Sequence, residues 1–161
     1  MPVQKLKEFL DNQNIKYVAI SHSTAYTAQG IAALTHISGK ELAKTVIVKV
    51  DDALAMAVLP ASRHVDLSLL KAATGATTVA LAGETEFKDR FPDCETGAMP
   101  PFGNLYGMAV FAEESLTKDK EIAFNAGTHS ELIRLSWEDF LRLVKPRMLQ
   151  FSSARVGTSA A

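Results

Sequence analysis

Two apolar runs joined by a short acidic segment constrain the fold of this chain more than any other part of its sequence. Residues 45–50 are apolar and largely β-branched, and residues 54–59 form a second apolar run that Pro60 closes. The sequence Asp-Asp-Ala lies between them at 51–53. Two runs of strand length on either side of a short polar segment predict a β-hairpin. The chain is therefore expected to form a sheet that contains this hairpin.

The other predicted elements mix helices and strands without a regular alternation. Helices are expected near the N-terminus, after the cap residues Thr27, Asp66 and Ser136, and over residues 84–90. Strands are expected at residues 17–20, 78–81, 106–112, 121–125 and 132–135. This order indicates an α+β domain with a mixed, mostly antiparallel sheet flanked by helices. Residues 1–150 are expected to form a single domain, and residues 151–161 a loose tail with little to bury.

The near-neutral charge limits the kinds of partner that the chain can bind. Its 161 residues carry a formal net charge of −1. A protein that holds a duplex through many phosphate contacts is usually basic, so extensive duplex or DNA binding is not expected. A protein that grips only the end of an RNA strand needs few phosphate contacts and can stay near neutral.

The cysteine content and the hydropathy pattern indicate a soluble, cytoplasmic protein. Cys94 is the only cysteine, so no internal disulfide can form. No stretch approaches the roughly 20 apolar residues needed to span a bilayer. The start of the chain also lacks the apolar segment of a signal peptide.

Sequence signatures of the common catalytic and metal sites are absent. There is no G-x-S-x-G, P-loop or G-x-G-x-x-G segment. The four histidines lack the paired spacing of zinc ligands, so neither a metal nor another cofactor is expected. Cys94 is a candidate nucleophile, but a lone cysteine is more often a small buried apolar residue.

Lys44, which precedes the first apolar run, is the first candidate site residue. A lysine at the mouth of an apolar strand is a point cation held by rigid backbone. The alternative, which spacing alone favours, is a surface lysine whose stem covers apolar surface while its ammonium stays in water.

A stiff loop with the sequence Gly-Ala-Met-Pro-Pro-Phe-Gly, at residues 97–103, is the second candidate. Its prolines fix φ and favour extended conformations in the residues before them. Its glycines let a ligand approach the backbone closely. The loop suits a site that reads a substrate through fixed carbonyl and amide groups, and a rigid turn between two elements is an equally good interpretation.

His129 is the third candidate, because it follows a predicted strand and a glycine turn in the sequence Asn-Ala-Gly-Thr-His at 125–129. A histidine can donate or accept a proton near neutral pH. The alternative is a histidine whose hydrogen bonds are satisfied within its own loop.

Together, and in this order, these features resemble the YbaK/prolyl-tRNA-synthetase-associated editing domain family. The similarity covers about residues 3–146 and is carried by residues 22–28, 43–45, 58–60, 97–103 and 126–129. It implies an α+β fold with a partly barrel-like sheet. It also implies a trans-editing hydrolase, an aminoacyl-tRNA deacylase that serves translation fidelity without a cofactor. The partners implied are the 3′ end of aminoacyl-tRNA and prolyl-tRNA synthetase, with no membrane and no DNA.

The resemblance implies catalytic roles for Lys44, Gly97 and His129. Lys44 would bind the terminal phosphate or the ester, and His129 would orient the amino acid or the ribose. Backbone groups of residues 97–103 would hold the α-amine and the developing oxyanion, and a ribose hydroxyl of the substrate would help to activate water. The implied substrate-binding residues are His22, Tyr26, Thr45, Met99, Pro101, Phe102, Gly103, Gly127 and Thr128.

Alanine on tRNA for proline is the first substrate expected, followed by serine, threonine, cysteine and 2-aminobutyrate. A synthetase pocket excludes a smaller amino acid by only roughly 10–200-fold, so a second sieve is needed. One departure from the family is the pair of adjacent prolines between Met99 and Phe102, which would reshape the pocket.

Two alternatives from other functional classes stay open. The first is a non-catalytic module of the same fold that binds RNA ends, nucleotides or a protein. The second is a DNA-binding regulator, which would be supported if the basic residues formed one stripe. The residues concerned are Lys40, Lys44, Lys49, Arg63 and Lys71.

Overall fold

The predicted hairpin lies at the centre of a five-stranded sheet in the computed structural model, which describes residues 3–26, 28–38 and 40–153. The strands are β1 (Tyr17–Ser21), β2 (Ala43–Val50), β3 (Ala53–Pro60), β4 (His64–Val65), β5 (Val79–Leu81), β6 (Ala109–Glu113), β7 (Glu121–Asn125), β8 (Glu131–Ser136), β9 (Arg147–Leu149) and β10 (Ser152–Ser153). The helices are α1 (Gln4–Asn12), α2 (Ala28–Thr35), α3 (Leu67–Thr74), α4 (Glu84–Phe87) and α5 (Trp137–Val144).

The hairpin is confirmed over the full length of both strands. β2 and β3 pair antiparallel from Ala43 opposite Pro60 to Val50 opposite Ala53. The two turn residues, Asp51 and Asp52, have φ angles of 49° and 68°. Left-handed conformations at both central positions are those of a type I′ turn, whose twist matches that of the strands it joins.

The strands of the described residues form mixed, mostly antiparallel sheets and no closed barrel. The large sheet has the order β5-β2-β3-β6-β9, in which β5, β2 and β3 are antiparallel and β6 and β9 join in parallel. A second, antiparallel sheet has the order β1-β8-β7. A parallel bridge between Leu42 and Ala123 connects the two sheets just before β2 begins. The start of β2 therefore lies beside β7.

Alternate residues of β2 enter two different cores, as the period of a strand requires. Ala43 and Ile47 belong to the main core, which also holds Phe102 and Leu6 of α1. Val48 belongs to a smaller core that contains Leu70 of α3. The hairpin is thus covered on both faces, and its position is fixed by apolar burial.

The predicted cap residues begin two of the helices. Asp66 Oδ1 accepts a hydrogen bond from Leu69 N at 3.1 Å at the start of α3, and Ser136 Oγ accepts one from Asp139 N at 3.1 Å at the start of α5. Such caps satisfy backbone N–H groups that have no partner inside the helix. Thr27, the cap predicted for α2, lies outside the described residues.

Three features of the structure differ from the sequence prediction. The short strands β4, β9 and β10 were not predicted, because their two or three residues do not form an apolar run like the one that predicted β5. β6 begins at Ala109 and not at residue 106, because Gly107 has a φ of 68° that interrupts an extended chain. Residues 151–153 do not belong to the loose tail that was predicted from residue 151, since Phe151 is fully buried and Ser152 pairs with Val65, and the rest of that tail lies outside the described residues.

The described helices are all short. None of them is long and apolar enough to cross a membrane.

Candidate active site

Lys44 lies at a small cavity where the start of β2 meets the end of β7. The cavity has a volume of about 150 Å³. Its lining consists of Tyr26, Ile31, Leu42, Ala43, Lys44, Thr45, Gly97 and Asn125. Of the predicted site residues, Lys44, Gly97, Tyr26 and Thr45 are therefore brought together at one place.

The ammonium group of Lys44 is half-buried and has no hydrogen-bond or ion-pair partner among the described residues. Burial lowers the pKa of Lys44, because leaving water disfavours the charged form and no carboxylate compensates. Keeping such a charge unpaired costs stability. The ammonium group of Lys44 is thus free to receive an oxygen ligand, and the role predicted for this lysine stays a prediction.

Gly97 also lines the cavity and has a backbone conformation that favours glycine. Its φ is 87°, in the left-handed region. A Cβ built on Gly97 would lie 3.4 Å from His129 Cε1. The glycine therefore lets the loop backbone lie between the cavity on one side and the histidine ring on the other.

The other residues of the loop are buried in the core and are not among the residues that line the cavity. Met99, Pro101 and Phe102 are buried, and the Phe102 ring packs on Phe124 and Phe140 at centroid distances of 5.5 and 5.7 Å. Among the residues described, only Gly97 of the loop lines the cavity. The side chains of Met99, Pro101 and Phe102 thus hold the loop in place, and the substrate contacts predicted for them stay predictions.

Two glycines that the sequence placed in the site have packing roles. A Cβ on Gly103 would collide with the backbone oxygen of Met108 and approach Val110 Cγ2 to 2.6 Å. Gly127 has a φ of 102°, and a Cβ there would overlap the side chain of Val3. At both positions the absence of a Cβ lets another part of the chain pack closely against the glycine. Neither glycine is among the residues that line the cavity.

His129 lies behind Gly97 and is held from several sides. Its backbone N donates to Glu95 Oε1 at 2.6 Å, and its ring Nε2 lies 2.8 Å from the carbonyl oxygen of Thr96. Because a carbonyl oxygen only accepts, Nε2 carries the proton and Nδ1 is left as an acceptor. Nδ1 is buried without a partner among the described residues. The ring does not line the cavity, so it positions the Gly97 backbone from behind.

The same ring supports Tyr26, the most exposed large side chain of the cavity lining. The Tyr26 and His129 rings lie 4.8 Å apart, and 76% of Tyr26 is exposed. Backbone hydrogen bonds from Ala25 N to His129 O at 3.1 Å and from His22 N to Ser130 O at 2.9 Å fasten this segment. His22 and Thr128 thus belong to the supporting structure: the His22 Nδ1 donates to Ser23 O, and Thr128 Oγ1 donates to Glu131 Oε1.

Two polar residues of the site were not predicted from sequence. Asn125 ends β7 and lines the cavity, and its Oδ1 is buried without a partner among the described groups. Glu95 holds the backbone of His129. A signal for Asn125 was present, since it is an amide between an apolar strand and a glycine turn. Glu95 carried no signal, because its contact with His129 is a tertiary one.

Cys94 is unsuited to act as a nucleophile. It is half-buried, and burial raises the pKa of its thiol to about 11, against a smaller lowering by the Tyr106 hydroxyl at 3.5 Å. The reactive species is the thiolate, which is scarce near neutral pH when the pKa is this high. Within the described residues, no group of three or more histidine, cysteine, aspartate or glutamate side chains could hold a metal ion.

The chain is similar in sequence to known proteins of one family. The family model for the aminoacyl-tRNA editing domain matches residues 22–143. The Escherichia coli K12 protein named multifunctional Ser/Thr-tRNA deacylase ProXp-y is 27% identical over 153 residues, which cover 92% of this chain and 91% of that protein.

Two solved structures support the same fold at lower identity. A hypothetical protein superimposes with a TM-score of 0.83 at 19% identity, over 93% of this chain and 100% of the other. A candidate trans-editing enzyme for prolyl tRNA synthetase gives 0.80 at 18% identity, over 94% of this chain and 96% of the other. Since the family model spans most of the sequence, the chain belongs to the aminoacyl-tRNA editing domain family and is an enzyme of the aminoacyl-tRNA deacylase class.

Proposed function

We propose that this chain removes small amino acids from mischarged tRNA in trans, with Lys44 and the Gly97 backbone as its reacting groups. The observation that carries the proposal is the unpaired, half-buried ammonium of Lys44 at a cavity that Gly97, with its left-handed backbone, also lines. A cation and a backbone N–H at one cavity can stabilise the negative charge that develops on the carbonyl oxygen when an ester is hydrolysed.

Within this proposal, Lys44 binds an oxygen of the terminal nucleotide or of the ester. The Gly97 N–H, which donates to Met99 Sδ at 3.2 Å in this structure, exchanges that weak bond for one to the reacting carbonyl oxygen. His129 keeps Gly97 in place and touches no substrate atom. None of the lining residues that the structure describes carries a carboxylate. A ribose hydroxyl of the substrate therefore serves to activate the water, and since an aminoacyl ester is already reactive, this modest help is sufficient.

The size of the cavity supports an aminoacyl group as the part that enters it. Small-molecule pockets commonly have volumes of about 300–1,000 Å³, whereas this one has about 150 Å³. An alanyl, seryl or threonyl group suits this space, and the adenosine has to lie outside it. Action on aminoacyl-tRNA would place the enzyme in the cytoplasm.

The polar lining favours serine and threonine over alanine, which the sequence alone put first. Thr45 contributes a hydroxyl, and Asn125 Oδ1 is buried without a described partner. A substrate hydroxyl would satisfy that oxygen, and a site built for a hydroxyl disfavours an analogue that lacks it. The Escherichia coli relative is named for serine and threonine substrates, which agrees with this choice. Alanine on tRNA for proline, with prolyl-tRNA synthetase as partner, is the second candidate.

The test is hydrolysis of a panel of mischarged tRNAs by the wild type, Lys44→Ala and Lys49→Ala. The panel includes seryl-, threonyl- and alanyl-tRNA, with tRNA for proline among the acceptors. Lys49 is a matched control, because it lies on the same strand but is paired with Glu86 at 2.9 Å. We expect turnover to be lost in Lys44→Ala and kept in Lys49→Ala, with serine or threonine released fastest.

Two results would contradict the proposal. Wild-type rates in Lys44→Ala would remove Lys44 from the reaction. Absence of turnover on every member of the panel, with binding of tRNA retained, would favour the non-catalytic RNA-end-binding module.

A further inference from the structure

A second cavity with a basic lining lies next to the aminoacyl cavity and has no part in the reaction proposed above. It has a volume of about 370 Å³. Its lining consists of Lys40, Pro60, Ser62, Arg63, Ser115, Lys118 and Asp119. Three cations against one carboxylate give this cavity a positive lining in a chain whose formal net charge is −1.

The two cavities are neighbours across one pair of residues. Ala43 lines the aminoacyl cavity, Pro60 lines the basic one, and the two residues are directly opposed in the β2–β3 ladder. Opposed residues of an antiparallel pair lie about 4.5–5.5 Å apart. Lys40 also precedes Lys44 by four residues, which span at most about 14 Å. An RNA strand whose aminoacylated 3′ end reacts at Lys44 therefore reaches the basic cavity within the few nucleotides next to that end.

Arg63 is fixed in this cavity by the last described strand. Its Nε donates to Ser152 Oγ at 2.6 Å, and its Nη2 donates to Ser152 O at 2.8 Å. A guanidinium carries five N–H groups, so donors remain for a ligand after these two bonds. Ser152 is itself buried in the β10–β4 pair, and the arginine is therefore held in one orientation before a ligand arrives.

The other polar groups complete a site for an anion. Lys40 and Lys118 are exposed and can turn toward a ligand. The Ser115 hydroxyl has no hydrogen-bond partner among the described residues. The carboxyl group of Asp119 disfavours an anion in this cavity. Burial and the nearby Glu41 raise the pKa of this carboxyl group. A fixed arginine with two adaptable lysines is an arrangement suited to a phosphodiester.

We infer that this basic cavity binds a backbone phosphate of the tRNA acceptor strand close to its aminoacylated end. The inference rests on the proposed function, because it assumes that the strand enters with its ester at Lys44. It also explains how a nearly neutral protein holds RNA: one phosphate site beside the reaction site replaces a broad basic surface. The five basic residues considered from sequence form no continuous stripe, since Lys49 is paired with Glu86 and lines another cavity.

The first test measures binding without turnover. The probe is an uncharged acceptor-stem minihelix with an unpaired CCA end, titrated by fluorescence anisotropy over a series of salt concentrations. The variant is Lys40→Gln combined with Lys118→Gln, two exposed positions at which folding is not at risk. Arg63→Gln is a second variant and removes one charge. Lys49→Gln removes one charge outside the cavity and is the control for charge loss as such, which counts twice for the double variant. We expect the double variant to raise Kd roughly three- to tenfold, and to reduce the slope of log K against log salt by about 0.7 for one lost phosphate.

The second test separates phosphate binding from a structural effect. With an aminoacylated minihelix, the double variant should raise KM and leave kcat near the wild-type value. With an aminoacyl-adenosine, which has no phosphate, the ratio of variant to wild-type KM should fall toward one. An equal loss on both substrates would show a structural role and overturn the inference.

The outcomes distinguish this inference from the proposed function. If the double variant has the same Kd, salt slope and KM as Lys49→Gln while Lys44→Ala is inactive, the phosphate site is wrong and the proposed function stands. If the double variant weakens minihelix binding while the wild type hydrolyses no aminoacyl-tRNA, the proposed function fails and the phosphate site stands.

Discussion

Replacement of Gly97 by alanine tests the geometry of the site most directly. The φ of Gly97 is 87°, a conformation that residues with a Cβ rarely adopt. The added methyl group would lie 3.4 Å from His129 Cε1 and 3.8 Å from Nε2, which is contact without a hard collision. The cost to folding is therefore mainly backbone strain, and relief of that strain requires the Gly97 backbone or the His129 ring to move.

The magnitude follows from the backbone angle. A non-glycine residue in the left-handed region costs roughly 1–2 kcal/mol. For a protein of this size each kcal/mol lowers Tm by about 2–4 °C, so a decrease of about 2–8 °C is expected. Rotation of His129 away from Thr96 O, or a shift of Gly97 by a fraction of an ångström, should also lower kcat by roughly tenfold or more.

Gly75→Ala is the matched control. Gly75 ends α3 with a φ of 73°, and a Cβ there meets no atom within 4 Å. Both variants should therefore lose similar stability, measured by thermal and urea unfolding, but only Gly97→Ala should lose deacylation. Equal retention of kcat in both variants would remove the Gly97 backbone from the reaction. An unchanged Tm in Gly97→Ala would refute the argument from strain.

Three further predictions concern single side chains. Cys94→Ala should keep kcat within about twofold, because a thiol with a pKa of about 11 is not the nucleophile; a loss of the reaction in the deacylation assay would contradict this. Lys44→Met should abolish turnover yet raise Tm near neutral pH. Burial lowers the folded-state pKa of Lys44 below its unfolded value, so the unfolded chain binds the extra proton and the unfolding free energy rises with pH between the two values; a lower Tm in Lys44→Met would refute this sign. Phe151→Ala should lower the unfolding free energy by roughly 3–5 kcal/mol in urea titrations, because the ring is fully buried; a loss within error would restore the loose tail predicted from residue 151.

The parts of the fold that sequence predicted are those with strong local signals. The hairpin followed from two long apolar runs and a turn, and α3 and α5 from side chains that cap their first turns. The short strands β4, β9 and β10 carry no such signal, whereas β5 lies in an apolar run that predicted it. β10 exists because Phe151 inserts into a core built by distant residues, and because Glu113 Oε2 accepts a hydrogen bond from Phe151 N at 2.7 Å. Only the tertiary structure brings these groups together.

The site was predicted in part, for a related physical reason. Lys44, Gly97 and Tyr26 belong to segments that resemble the family, and the structure brings them to one cavity. A sequence motif, however, does not tell a side chain that contacts a ligand from one that anchors the loop. Phe102 and Gly103 lie in the same motif as Gly97, but one fills the core and the other allows close packing on Met108.

Under the proposed function, the buried residues that hold the Gly97 loop in place also determine which amino acids the cavity accepts. An editing enzyme has to reject the correctly charged tRNA, and a difference of one methylene in a pocket is worth only about 1–3 kcal/mol when the pocket is rigid. A cavity that could expand would discriminate less. Here part of the lining is the start of β2, paired to β3, and another part is Gly97, in a loop whose Phe102 is packed against Phe124 and Phe140. Core packing thus limits the size of the amino acid that can enter, because the buried residues of the loop keep Gly97 in one position at the cavity.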